Sequence, residues 1–453
     1  MAESTNTIQK EIQDREAKEK RELRRKRRRR NQILAILTLL LFVCLIVAII
    51  GTGVWYIMHR GAGKPAGGGA STTQETTIDN LFESEDEIVK PEETNTEPTL
   101  TPEQQLDAIL DEAFISQMPL EDKVAGLFIV TPESITGVNK AVKAGDGTKD
   151  ALNKYAVGGI VYASQNMQDA AQFTEMVSNT TLYSRYALFT CVAEEGGSST
   201  SLEKAGLADK TDSEQAMGTG ADAAKAYEAS GKIADSMLTY GLNLNFAPVA
   251  DLATVQDSYL KDASYGSDAA LAASFVTSAV QGIQEKGISS CLKYFPGAAD
   301  MKEDPAKGMA SSERTAEQLA AEEFTVFKAG IDAGADMVMV GHVAVPAITG
   351  DNTPCSLSSA VVTDKLRNEL GFNGVIITDA MNKGAITEYY EADEAAILAL
   401  KAGCDMILCP DDFEKAYNGV LEAVQNGTIS EERINDSLRR IYRIKYASMM
   451  PEE

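Results

Sequence analysis

The sequence predicts an α/β fold, a closed (β/α)8 barrel of the TIM type, and three observations carry that expectation. Short apolar runs recur from about residue 101 onward, at 126–130, 159–162, 187–192, 242–248, 290–295, 337–340, 375–378 and 406–409. Amphipathic stretches with helical periodicity separate them, among them 268–285, 315–333 and 413–425. The third observation is the count, because eight strand-then-helix units close a barrel of this kind. A doubly wound open sheet shares the same alternation and stands as the alternative.

The elements before the barrel follow from charge and hydropathy. Residues 1–32 hold 12 Lys and Arg against 6 Asp and Glu and read as a basic cytoplasmic tail. Residues 33–57 form an uncharged, mostly apolar run. At 1.5 Å rise per residue such a run spans a bilayer, and its length exceeds the apolar core of a secretory signal peptide. Arg21 to Arg30 precede it, so the positive-inside rule keeps the N-terminus in the cytoplasm and places the rest outside the cell. Trp55 and Tyr56 stand where an interfacial aromatic belt is expected. Residues 58–101 are rich in Gly, Thr, Glu, Ser and Pro and read as a flexible linker. The barrel is expected over 102–450.

Composition excludes several functions. Net charge is −25, and beyond the tail 30 basic residues face 61 acidic ones. An acidic globular part repels a phosphate backbone, so nucleic acid is not an expected partner. Only His59 and His342 occur, which rules out a histidine-based metal cluster, and no cofactor is expected. One of the six cysteines, Cys44, lies in the apolar run. The other five have no framework spacing and read as buried, reduced packing residues.

In a barrel, chemistry collects at the C-terminal ends of strands and in the loops after them. The groups to inspect are therefore Glu194, Glu195, Asp251, Lys293, the loop 300–308, His342, Asp379 and Asp411. By position alone, Asp379 can equally cap a following helix, and Lys293 can pair with Asp251 or Asp379.

Two segments are more specific. Lys293-Tyr294-Phe295-Pro296-Gly297-Ala298-Ala299-Asp300 and Gly374-Val375-Ile376-Ile377-Thr378-Asp379 resemble the active-site segments of family 3 glycoside hydrolases, of the single-domain β-N-acetylglucosaminidase type. In that family the segments read Lys-His-Phe-Pro-Gly-His-Gly-Asp and Gly-Val-Ile-Thr-Asp-Asp-Leu, the latter followed by Met-Gly-Ala-Ile. Here the last piece is Lys383-Gly384-Ala385-Ile386. The resemblance covers about 103–448 and implies the barrel, with Asp379 as the nucleophile of a retaining mechanism. It also implies substrate contacts from Lys293, Tyr294, Asp251 and Glu195, and a glycan partner such as a peptidoglycan-derived N-acetylglucosaminide.

The resemblance breaks where the proton is handled. The family's Asp-Ser-His, which supplies the general acid and base, corresponds to Asp304-Pro305-Ala306. Losing a positioned acid costs roughly 10²–10⁴ in rate. Asp304 remains as a candidate substitute acid or a relic of the dyad, with Asp300 and Glu303 beside it. The sugar-gripping Asp of Val-Asp-Gln-Glu-Gly-Gly-Arg is Ala193, and three family arginines are Ser198, Ser201 and Ala263. Each lost charge-assisted hydrogen bond removes about 1.5–3 kcal/mol of potential binding energy. Two expectations follow: a membrane-anchored extracellular β-N-acetylhexosaminidase with an unorthodox acid, or a catalytically impaired protein on the same scaffold that binds glycan or a partner.

Overall fold

The computed structural model describes residues 106, 108–111, 114–297 and 301–447. The basic tail, the apolar run 33–57 and the linker lie outside the described residues, as do Asp300 and Cys44. Among the described residues, no helix is long and apolar enough to cross a membrane.

Eight parallel strands close on themselves in sequence order: β1 (Phe128–Val130), β2 (Gly159–Val161), β3 (Phe189–Val192), β4 (Leu244–Asn245), β5 (Ser289–Phe295), β6 (Met337–Val340), β7 (Val375–Ala380) and β8 (Met406–Leu408). Each falls on one of the eight apolar runs read from the sequence. Closure is direct, with Ile129 of β1 opposite Gly159 of β2 on one side and Leu408 of β8 on the other. The open-sheet alternative is thereby excluded. β4 is the shortest because Pro248 has no N–H to give a ladder. Pairing nevertheless continues past it: Ala250 N donates to Lys293 O at 2.7 Å, which carries Asp251 alongside β5.

Eight principal helices follow the strands: α1 (Asp146–Lys154), α2 (Ala170–Tyr183), α3 (Ala224–Thr239), α4 (Ala269–Gln284), α5 (Glu323–Asp332), α6 (Ala360–Glu369, wound as a π-helix), α7 (Ala392–Ala402) and α8 (Phe413–Gln425). A ninth, α9 (Glu431–Lys445), ends the described chain. Their starts are written in the sequence. Asp169, Asp268 and Asp412 accept N–H bonds from Gln172, Leu271 and Lys415, and Ser430 accepts one from Arg433.

Strands buried on both faces need apolar residues at every position, which explains the unbroken Phe-Ile-Val and Met-Val-Met-Val runs. β1 and β2 also approach closely. A Cβ at Gly158 would lie 2.1 Å from Gly126 O, so only glycine fits there. One buried carboxylate ties several elements together. Asp405, fully buried before β8, accepts from Arg367 of α6 at 2.6 Å, from Ser437 and Arg440 of α9 at 2.8 and 3.0 Å, and from Ile376 N of β7 at 2.9 Å. Cys191, Cys291, Cys355 and Cys404 are free and buried, and Cys409 is free and half-buried, in line with packing roles.

Candidate active site

The C-terminal ends of the strands enclose a cavity of about 250 Å³. That is just below the range of about 300–1,000 Å³ typical of ligand pockets. Glu195, Tyr294, Asp304, His342, Asp379 and Lys383 line it, with Tyr259 and Ser199 beside them.

Asp379 stands near the end of β7 with both oxygens engaged. Oδ1 accepts from Ala380 N at 2.8 Å, and Oδ2 accepts from Lys383 Nζ at 2.6 Å. The backbone accounts for the second contact. Lys383 N donates to Ala380 O at 3.2 Å, closing a turn that folds the lysine back over the strand end. Burial pushes the Asp379 carboxyl up, but the Lys383 ammonium, His342 and the two hydrogen bonds more than offset it and hold it below the usual carboxylate range. The carboxylate is ionised, as a nucleophile must be. Burial likewise pushes Lys383 down, and the Asp379 charge overrides it, leaving the lysine above its ordinary value.

Lys293 is buried in β5 and pairs with Glu195, not with Asp251 or Asp379. Burial disfavours its ammonium, and the Glu195 charge restores and exceeds the loss. A second buried carboxyl, Glu214, accepts from Val249 N at 3.2 Å. Burial first, and then the Glu195 charge, push Glu214 well above its ordinary range, against the weaker pull of Lys293. Two buried carboxyls thus lie in the field of one ammonium, with Glu195 in direct contact with it. Asp251 is buried, with Oδ1 accepting from Leu252 N at 3.0 Å. Tyr294 lines the cavity, its ring 5.4 Å from both the Lys293 and the Lys383 ammonium. These are distances at which a cation is drawn to an aromatic face.

Proton donors are scarce in this lining. Asp304 accepts from Ala306 N at 2.9 Å, capping the turn Pro305–Lys307, and its other oxygen lies 4.0 Å from Lys307. In both contacts it is an acceptor. His342, after β6, has Nδ1 2.8 Å from Ser356 Oγ and Nε2 3.0 Å from Ala380 O. Burial holds it below its ordinary 6.5, and its two contacts tie Ser356 to the strand end that carries Asp379. Burial pushes Tyr294 and Tyr259 up, which makes them poor acids.

Of the residues singled out from the sequence, Asp379, Asp304, Tyr294 and Glu195 line one cavity, with Lys293 bonded to Glu195 just behind. Glu194 is elsewhere engaged: its carboxylate accepts the backbone N–H groups of Ser201, Leu202 and Glu203 and shapes the loop after β3. Asp411 lines a separate cavity with Asp412 and Lys415. Sequence reasoning missed Lys383 and Glu214. For Lys383 a signal existed, a lysine four residues after Asp379 where the family segment has methionine. Glu214 lies in a connecting segment without periodicity and gave none.

Known proteins share this fold. Residues 119–444 match the glycosyl hydrolase family 3 N terminal domain. A β-hexosaminidase of Xanthomonas campestris pv. campestris is 31% identical over 270 residues, covering 57% of this chain and 79% of that protein. Among solved structures, a family 3 β-N-acetylglucosaminidase from a Paenibacillus species superposes with a TM-score of 0.69 at 31% identity, over 74% of this chain and 64% of that one. The β-N-acetylhexosaminidase of Beutenbergia cavernae superposes with a TM-score of 0.65 at 25% identity, over 73% of this chain and 99% of that one. With the match spanning the whole barrel, the chain belongs to glycosyl hydrolase family 3 and is β-hexosaminidase-like.

Proposed function

We propose that the chain binds a β-linked N-acetylhexosaminide in the cavity at the barrel mouth and cleaves it by a retaining mechanism with Asp379 as nucleophile. The observation that carries this reading is the ionised, buried Asp379 at the end of β7, facing a cavity that Glu195 and Tyr294 also line. In the first step an Asp379 oxygen bonds to the anomeric carbon as the glycosidic oxygen leaves with the bonding pair. In the second, water displaces the carboxylate with a second inversion, which restores the starting configuration, and the proton that the water sheds passes through solvent to the departed oxygen. Glu195, oriented by Lys293, and Asp251 are the groups assigned to sugar hydroxyls. The apolar run 33–57 is assigned as a single-pass anchor that holds the barrel outside the cell, where peptidoglycan fragments are accessible substrates.

Among the described residues the lining supplies no placed acid to protonate the departing oxygen, so the first step should depend steeply on the leaving group. The purified protein is expected to turn over a 4-methylumbelliferyl N-acetyl-β-glucosaminide. An N-acetylglucosamine disaccharide, with its unactivated sugar leaving group, is expected to be slower by at least about 10² beyond their intrinsic difference in reactivity. Comparable rates would contradict this reading by revealing an acid at work. A second reading, a glycan-binding protein without hydrolysis, is favoured by the Lys383–Asp379 ion pair. It is selected if the sugar binds and neither substrate reacts.

A further inference from the structure

We infer that Lys383 is a positioning residue that closes the nucleophile until a glycoside enters, and that Asp304 is the carboxylate that receives the lysine when it moves. The inference rests on the assignment of Asp379 as nucleophile. An attacking oxygen must come within about 3–3.5 Å of the anomeric carbon. Oδ2 already has an ammonium at 2.6 Å, and Oδ1 is held by Ala380 N at 2.8 Å. Lys383 also lines the cavity that Asp379 faces, so an entering sugar ring and the lysine contend for the space in front of Oδ2.

A half-buried ammonium does not leave a carboxylate for nothing, because an uncompensated charge in a protein interior is strongly unfavourable. It needs another anion. Among the described residues three carboxylates line the cavity: Asp379, Glu195 and Asp304. Glu195 is taken by Lys293. Asp304 has an oxygen whose ion-pair contact is a loose 4.0 Å, to an exposed lysine. It also lines the same cavity as Lys383. The turn that bears Asp304 packs on the helix that Lys383 begins, so closely that a Cβ on Gly384 would sit 2.8 Å from Gly308 N and 2.9 Å from the Lys307 carbonyl carbon. Lys293 helps the lysine go, since the two ammonium groups share one tyrosine ring at 5.4 Å each and repel. Asp304 thereby gains a role that needs no proton: it stabilises the open site.

A double-mutant cycle on the full chain tests this, with Lys383→Met, Asp304→Asn and their combination assayed on the 4-methylumbelliferyl substrate. Methionine matches the length of the lysine stem without its charge, and asparagine keeps an oxygen for the cap to Ala306. Lys383→Gln repeats the cycle should the methionine variant fold poorly. Lys383→Met is expected to lower KM at least tenfold, because the lysine competes with the entering sugar, and to shift the acid limb of the kcat/KM profile to higher pH, because the Lys383 charge no longer holds the Asp379 carboxyl down. Asp304→Asn is expected to lower kcat/KM about tenfold in the wild type and at least fivefold less in the Lys383→Met background. Equal costs of Asp304→Asn in the two backgrounds overturn the inference. The nucleophile assignment fails separately, by turnover that survives Asp379→Asn. If no variant turns over substrate, calorimetric binding constants for N-acetylglucosamine pass through the same cycle, and additive effects again overturn it.

Discussion

Glu195 shows how single residues set the chemistry of the mouth. Its carboxylate is what keeps the fully buried Lys293 charged, and Lys293 in turn fixes the direction in which Glu195 points. Removing one partner of a buried pair strands the other, at a typical cost of about 3–5 kcal/mol. A second buried carboxyl, Glu214, remains in the field of Lys293 and softens that cost. Glu195→Ala should therefore lose about 3 kcal/mol, the low end of that range, read from urea unfolding midpoints at constant slope. A loss below about 1 kcal/mol would mean that Lys293 does not depend on this carboxylate. At this scale the sequence was only partly legible. The motif around Lys293 pointed to the residue but not to its partner, because Glu195 is 98 positions away and meets it only through barrel closure.

At the scale of elements, the short helix Gly384–Thr387 is the support on which the turn Pro305–Lys307 rests. That turn stands where the family carries its proton-transfer loop, so its position decides the shape of the mouth. A methyl group at Gly384 would meet backbone atoms of Lys307 and Gly308, not a yielding side chain, and the turn must shift. Gly384→Ala is expected to raise KM several-fold while changing unfolding free energy by no more than about 1 kcal/mol, since alanine also suits a helix start. An unchanged KM together with a large loss of stability would show that the contact braces the fold and not the mouth. Strands and caps were legible in advance because each is local, an apolar run of a few residues or an Asp or Ser ahead of a helix. The turn that brings Lys383 onto Asp379 was not. Residues four apart are neighbours in a helix, but the stretch between these two is the end of a strand and a turn, where periodicity is silent.

On the scale of the whole molecule, selective replacement is the dominant pattern. The scaffold follows the family, from the glycines that let β1 and β2 touch to the segment after β4 that carries Asp251 to β5. The buried Asp405 network joins α6, β7 and α9 beneath β8. Several groups that would grip and protonate a sugar differ from the family segments, and Lys383, where the family segment has methionine, stands on Asp379 in the mouth. A barrel of this size buries its core regardless of what its loops do, so architecture and chemistry can part company. That is why the fold was readable from eight apolar runs, while the state of the site required the loops in three dimensions. The central claim is that Asp379 retains its role as nucleophile, and its most direct test is the turnover of the 4-methylumbelliferyl N-acetyl-β-glucosaminide by wild type and by Asp379→Asn. This leaving group departs without a proton, so the measurement isolates the carboxylate from the missing acid. Measurable turnover in the wild type that falls at least about 10³-fold in Asp379→Asn is the expected result. Equal turnover by the two proteins, or none by a wild type that binds the sugar, would contradict the account.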